Sequence, residues 1–154
     1  MQFDLSTLTL TPTDTATFTI NLLGTSSGTA DFTFAAFALD AGYTPGTGKL
    51  DTDWTESTIT WNNAPANNTG DRSAVTSDAT QIGSNVSLTN VTTSTTGAYD
   101  FELGSLSNYL QTDDTVTIIL TMISQSNTSP ILRFASSESE TASLRPTLTI
   151  VPEP

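Results

Sequence analysis

The stretch Thr15-Ala16-Thr17-Phe18-Thr19-Ile20-Asn21-Leu22-Leu23 decides the fold class. Ala16, Phe18, Ile20 and Leu22 are apolar, and Thr15, Thr17, Thr19 and Asn21 between them are polar. A period of two puts the two sets on opposite faces of an extended chain, so this is a β-strand with one buried face. Outward from it the same alternation recurs. In Ala30 to Leu39, Phe32 and Phe34 share one parity while Phe37 and Leu39 share the other, and a β-bulge near Ala35 and Ala36 reconciles them. Tyr99, Phe101 and Leu103 alternate, as do Val116, Ile118, Leu120 and Met122. Ile119 and Ile123 add apolar character to the second face of that last run, which places it at the centre of a sheet. Leu132 with Phe134, and Leu148 with Ile150, make two short closing strands.

Turn chemistry separates these runs at Tyr43 to Gly48, Asn62 to Asp71 and Gln125 to Pro130. Only Gly104 to Gln111 has the look of a helical turn. Short strands of this number, without an amphipathic helix or an internal repeat, predict an all-β, antiparallel β-sandwich. A chain of 154 residues holds one such domain, residues 1–150, with 151–154 as a tail. Thr and Ser make up about a third of the residues, and β-branched Thr suits a half-buried pleated surface.

The inventory excludes several functions. The net charge is −12, and Lys49, Arg72, Arg133 and Arg145 are the only basic residues, so no basic patch meets phosphates or anionic lipid head groups. No apolar run approaches the roughly 20 residues that cross a bilayer. With no Cys and no His, disulfides, thiolate and imidazole metal ligands, and Ser-His-Asp or Cys-His catalysis are all absent. Met1 is not followed by a basic start and an apolar stretch, which is the pattern of a mature or trimmed chain.

The segment Trp54-Thr55-Glu56-Ser57-Thr58-Ile59-Thr60-Trp61-Asn62-Asn63-Ala64-Pro65 resembles the W-x-E-x-T-x-T-W-N-x-x-P motif of the DNRLRE domains, a bacterial and archaeal group overlapping carbohydrate-binding module family 96. Phe3-Asp4-Leu5-Ser6 is similar to the family's early strand. Phe134-Ala135-Ser136-Ser137-Glu138 and Arg145-Pro146-Thr147-Leu148 are similar to its closing ones. The resemblance spans nearly the whole chain and implies a jelly-roll-like sandwich with a non-catalytic, polysaccharide-linked role. It marks Trp61, Asn62, Pro65, Phe134, Glu138 and Arg145 as motif residues. The end Val151-Pro152-Glu153-Pro154 resembles the start of a PEP-CTERM sorting signal, which implies export and residence in a bacterial extracellular matrix.

Candidate site residues follow from chemistry. Trp54 and Trp61 have faces on which a pyranose ring can stack, and each also reads as structural, Trp61 as core in phase with Ile59 and Trp54 as a lid on the sandwich. Tyr43 and Tyr109 sit in or near predicted loops and complete the carbohydrate-binding set. Asp51, Asp53 and Glu56 concentrate carboxylates in a manner suited to calcium, with a solvated acidic loop as the alternative. Asp113 and Asp114 read as a turn. Glu138 and Glu140, two apart on an expected strand, lie about 7 Å apart on one face. Their Ser and Thr neighbours supply no desolvation to raise a pKa, so a glycosidase pair is disfavoured and an ion pair of Glu138 with Arg133 or Arg145 is expected instead. Sequons begin at Asn67, Asn85, Asn90 and Asn127, a by-product of composition in a bacterial protein.

Two functions follow. One is a non-catalytic extracellular module that binds polysaccharide, a neutral one given the charge. The other is a structural subunit: family members carry one or two strands before the F-D-L-S element, and a chain without them exposes sheet edges that accept a strand from a neighbouring copy. The first needs an exposed aromatic groove and the second a free edge.

Overall fold

The computed structural model describes all residues except Asp53, Glu56, Arg72, Ser73 and Pro154. Eight strands appear among the described residues: β1 (Gln2–Asp4), β2 (Thr15–Thr25), β3 (Ala30–Leu39), β4 (Ala79–Val91), β5 (Gly97–Gly104), β6 (Thr115–Gln125), β7 (Leu132–Phe134) and β8 (Thr147–Val151). Short 3-10 turns occupy Ser107–Tyr109, within the predicted helical turn, and Ala142–Leu144. All strand pairings are antiparallel. One sheet has the order β1-β6-β3-β4, and in the other β2 is flanked by β5 on one side and by β7 and β8 on the other. The chain passes repeatedly from one sheet to the other, and the two sheets pack into an all-β sandwich. β8 extends through Val151, which pairs with Thr15, so the last strand runs one residue past the expected boundary.

The decisive stretch behaves as its period requires. Ala16, Phe18, Ile20 and Leu22 are at most 2 % exposed and form the spine of the core. Phe18 meets Phe101 of β5 and Phe3 of β1, both at 6.0 Å between ring centroids. Burying side chains of this kind contributes about 1.5–3 kcal/mol each, the main stabilising effect in a chain without disulfides.

β3 corrects one expectation. Its own parity never switches: Ala30, Phe32, Phe34, Ala36 and Ala38 all belong to the main core. Phe37 and Leu39 face the other side of the sheet, where the 40–78 connection lays a second small core of Ala66, Ala79, Tyr43, Val75 and Ile119 over them. The register shifts nearby arise in β3's neighbours. β4 runs from Val86 to Ile82 while β3 runs from Phe34 to Ala36, four steps against two. β6 runs from Ser124 to Met122 against Thr33 and Phe34, two steps against one. These irregularities also hide β4 from a period-two reading. Its residues facing the main core, Ile82, Val86, Leu88 and Val91, follow intervals of four, two and three.

The sandwich is shut on one flank and open on the other. At the shut flank Gly83 of β4 has φ +68°, and a Cβ there would lie 2.0 Å from the Glu102 carbonyl oxygen of β5. At the open flank β1 lies against the first half of β6. It pairs with Thr115 to Thr117, and Met1 exchanges backbone hydrogen bonds with Ile118 at 2.6 and 2.7 Å. Past Ile118, no strand among the described residues pairs with this edge. β6 lies between β1 and β3, the interior place that its two apolar faces predict, and Ile123 near its end is 39 % exposed.

Polar clasps hold the ends. Gln111, 5 % exposed, shares its amide hydrogens among the carbonyls of Leu39, Asp40 and Tyr109 at 3.1–3.2 Å. Asp14 accepts from the Thr11 amide at 2.7 Å and the Thr11 hydroxyl at 2.8 Å, closing the turn that launches β2. The Thr11 amide first, then the Thr11 hydroxyl, hold the Asp14 carboxyl below its ordinary value, against a smaller opposing effect of burial.

Gly83→Ala combines a disfavoured φ with a backbone clash and is expected to cost about 3 kcal/mol or more, read as a lowered urea midpoint. Because the folded pKa of Asp14 is depressed, its contribution is present above the ordinary carboxylate value of 3.8 and disappears as pH falls through the lower folded value. The urea midpoint of the unmodified protein should fall over that acidic window more steeply than that of Asp14→Asn.

Candidate functional site

The open flank forms a groove between the β1/β6 edge and the β7/β8 edge. Across it Phe34 meets Phe134 edge-to-face at 5.7 Å. Three adjoining depressions run along it. The first, about 280 Å³, has Phe3, Trp54 and Pro146 beside the polar Gln2, Thr55 and Ser137. The second, about 280 Å³, shares Met1 and Trp54 with the first and adds Phe18, Ile59, Trp61, Pro65 and the β6 run Thr117 to Leu120. The third, about 330 Å³, shares Trp61, Asn67, Ile119 and Leu120 with the second and reaches Met122 and Phe134. None of the described residues lining the groove carries an Asp, Glu, Lys or Arg side chain, on a chain with sixteen acids.

The loop carrying the family-like motif builds the outer wall. Ile59 takes a turn hydrogen bond from its amide to the Thr55 carbonyl, and Ala64 does the same to Thr60. Asn63 accepts from the Thr60 amide and donates to the Thr58 carbonyl. Lys49 locks the far side, its ammonium donating to the carbonyls of Asn62 at 3.0 Å and Asn67 at 2.9 Å. The Asn67 amide in turn donates to the Trp61 carbonyl. Pro65 is buried under this loop and Asn62 is exposed.

This geometry corrects the core reading of Trp61. In a series of turns Ile59 and Trp61 need not share a face. Ile59 is half-buried, while Trp61 is 50 % exposed and lines the second and third depressions. Trp54 is half-buried between the first and second. Its indole Nε1 is buried without a hydrogen-bond partner among the described residues, as is the hydroxyl of Thr117, which is 2 % exposed and lines the same depression. An unpaired buried donor costs about 1–3 kcal/mol, and a ligand acceptor placed there would recover it.

The remaining candidates do not converge. Tyr43 packs in the second core, where burial foremost pushes its hydroxyl pKa up. Tyr109 lies in the 3-10 turn against the main core. Neither lines the groove, so of the three aromatic candidates only Trp54 does, joined there by Trp61. Phe3 and Thr117 are lining residues that sequence reasoning missed, because nothing local marks a strand edge as open. Asp51 is exposed and accepts from the Thr52 amide at 2.8 Å. Its proposed calcium partners Asp53 and Glu56 lie outside the described residues, and no group of three acids among the described residues could hold a metal.

Glu138 and Glu140 require two corrections. The expected strand is a turn, closed by the Ser139 amide on the Ser136 carbonyl, and both carboxylates are exposed. The expected ion pair is also absent among the described residues. Arg133 donates to the carbonyls of Leu23 and Thr25, and Arg145 donates to that of Ser139. These arginines tie backbone segments together because the turn points Glu138 into solvent. Asp113 and Asp114 do form a turn, with Asp114 at φ 60° and Asp113 accepting from both the amide and the hydroxyl of Thr115.

If Trp61 is a wall residue, Trp61→Ala should leave the unfolding free energy within about 1 kcal/mol, whereas Phe18→Ala should cost about 3–5 kcal/mol. Equal losses in urea titrations would return Trp61 to the core. Comparison with protein-family models, curated proteins and solved structures finds no match to this chain.

Proposed function

We propose that this protein is a non-catalytic extracellular module that binds neutral polysaccharide in a bacterial biofilm or envelope matrix. The observation that carries the reading is the uncharged groove in which Trp54 and Trp61 stand along one wall, with Gln2, Thr55, Ser137 and Asn67 beside them. Indole faces pack against the C–H surfaces of a pyranose, and amide and hydroxyl groups take up its hydroxyls. The open-ended run of three depressions suits a polymer. A −12 field around an uncharged groove favours a neutral chain over an acidic one. Glu138 and Glu140 are exposed on a turn and do not line the groove, which supports the non-catalytic role. The resemblance of the motif segment and of the Val151-Pro152-Glu153-Pro154 end supports the extracellular setting.

The second reading, a structural subunit that assembles by β-strand addition, is favoured by a different observation, the uncharged strand Thr115–Gln125 with Met122 and Ile123 exposed near its end.

Affinity electrophoresis against a panel of neutral and acidic polysaccharides, with and without calcium, tests the first reading. Retardation by a neutral polysaccharide is expected, weakened at least about tenfold, ~1.4 kcal/mol, by Trp61→Ala or Trp54→Ala. No retardation in any condition, or retardation only by acidic chains, would overturn it.

A further inference from the structure

We propose that the depression shared by Trp54 and Thr117 is a subsite for an acetamido group, so that the polysaccharide this protein selects is built of N-acetylhexosamine units. The inference rests on the glycan-binding reading above and names the sugar class within it.

The hydrogen-bonding inventory supplies the first reason. The indole Nε1 of Trp54 and the hydroxyl of Thr117 are buried in this depression with no partner among the described residues. Thr117 is 2 % exposed and lies where β1 is already in place against β6, through the pairing of Gln2 with Thr117. An indole N–H can only donate, so it calls for an acceptor. Asn67 lines the same depression. Its amide nitrogen donates to the Trp61 carbonyl, while its side-chain oxygen accepts no hydrogen bond among the described residues. Two donors and one acceptor are the complement of a single amide, whose carbonyl oxygen has two lone pairs and whose nitrogen has one hydrogen.

The apolar wall supplies the second. Between these polar groups the depression, about 280 Å³, is lined by Ile59 and Pro65. A sugar hydroxyl set there would lose water on its apolar side and gain nothing from it, whereas the methyl of an acetamido group covers that wall and its carbonyl reaches the donors. The group is neutral, as the uncharged lining requires. A peptide offers the same amide. The pyranose is favoured because Trp61, 50 % exposed on the same depression, presents an indole face on which the C–H surface of the ring stacks.

The test is calorimetric titration with chitotetraose and with cellotetraose, which share one backbone linkage and differ in carrying an acetamido or a hydroxyl group beside the anomeric carbon. Chitotetraose is expected to bind at least about tenfold more tightly and to shift the indole Nε1 proton resonance of Trp54. Thr117→Val removes the hydroxyl at nearly constant shape and should cut that preference at least about threefold without lowering the unfolding free energy, because the hydroxyl is already unpaired. Trp54→Phe keeps a ring, removes the N–H and provides the same test should the first variant fold poorly by circular dichroism. Equal affinity for the two sugars, or a preference indifferent to both variants, would overturn the subsite and leave the glycan reading standing. Binding of neither would overturn the subsite alone if a neutral polysaccharide still retards the protein, and both readings if none does. Displacement of chitotetraose by acetyl-tetra-alanine amide would overturn the sugar in favour of an extended peptide.

Discussion

The close approach of Gly83 to the Glu102 carbonyl is the constraint on which the rest of the molecule depends. It brings the edge of one sheet against the edge of the other with no room for a side chain. The two sheets therefore meet along β4 and β5 and diverge towards β6, β7 and β8. Everything of functional interest lies where they diverge. A sandwich pinned on both flanks would have left no groove beside the Phe34–Phe134 contact. Gly24 plays a related role, since its missing Cβ would lie 2.6 Å from the Thr93 carbonyl, next to the turn that leads into β5.

The open flank is an unusual environment on this chain. Sixteen acidic residues surround it, yet its described lining is aromatic, aliphatic or amide. Its wall is a succession of turns without regular hydrogen-bond ladders, and Lys49 holds that wall by binding two of its carbonyls. A single ammonium satisfying two main-chain acceptors is worth more than an exposed ion pair, because the acceptors would otherwise go unpaired as the loop folds over Ala66 and Pro65. Trp61 is left standing outward by this wall, at the boundary between solvent and the exposed half of β6.

Trp54 and Thr117 show the same logic from the inside. Both place a buried hydrogen-bond donor in a depression with no partner for it among the described residues. Protein interiors rarely leave such groups unsatisfied unless a ligand or water completes them. The groove thus offers apolar surface and unmet hydrogen-bonding capacity together, which is what a sugar polymer requires.

The alternation in β2 and β5 is legible in the sequence because burial on one face of a strand imposes a period of two, a local rule needing no knowledge of neighbours. Composition likewise determined the chemistry the chain cannot perform, since residue types that are missing stay missing in any fold. The tertiary structure alone decided the rest. Phe37 and Leu39 looked like evidence of a bulge, but a second core covers the back of β3, and only the path of the 40–78 connection could supply it. β4 was obscured because its extra residues break the period wherever it bends around β3. Trp61 and Glu138 were misplaced for the same reason: whether a residue points inward depends on the turns around it and on what packs above them. That β6 lies inside its sheet depends on β1, from the other end of the sequence, pairing Gln2 with Thr117. Period and composition act between neighbours along the chain, whereas edges, grooves and covered faces arise from contacts between segments far apart in it.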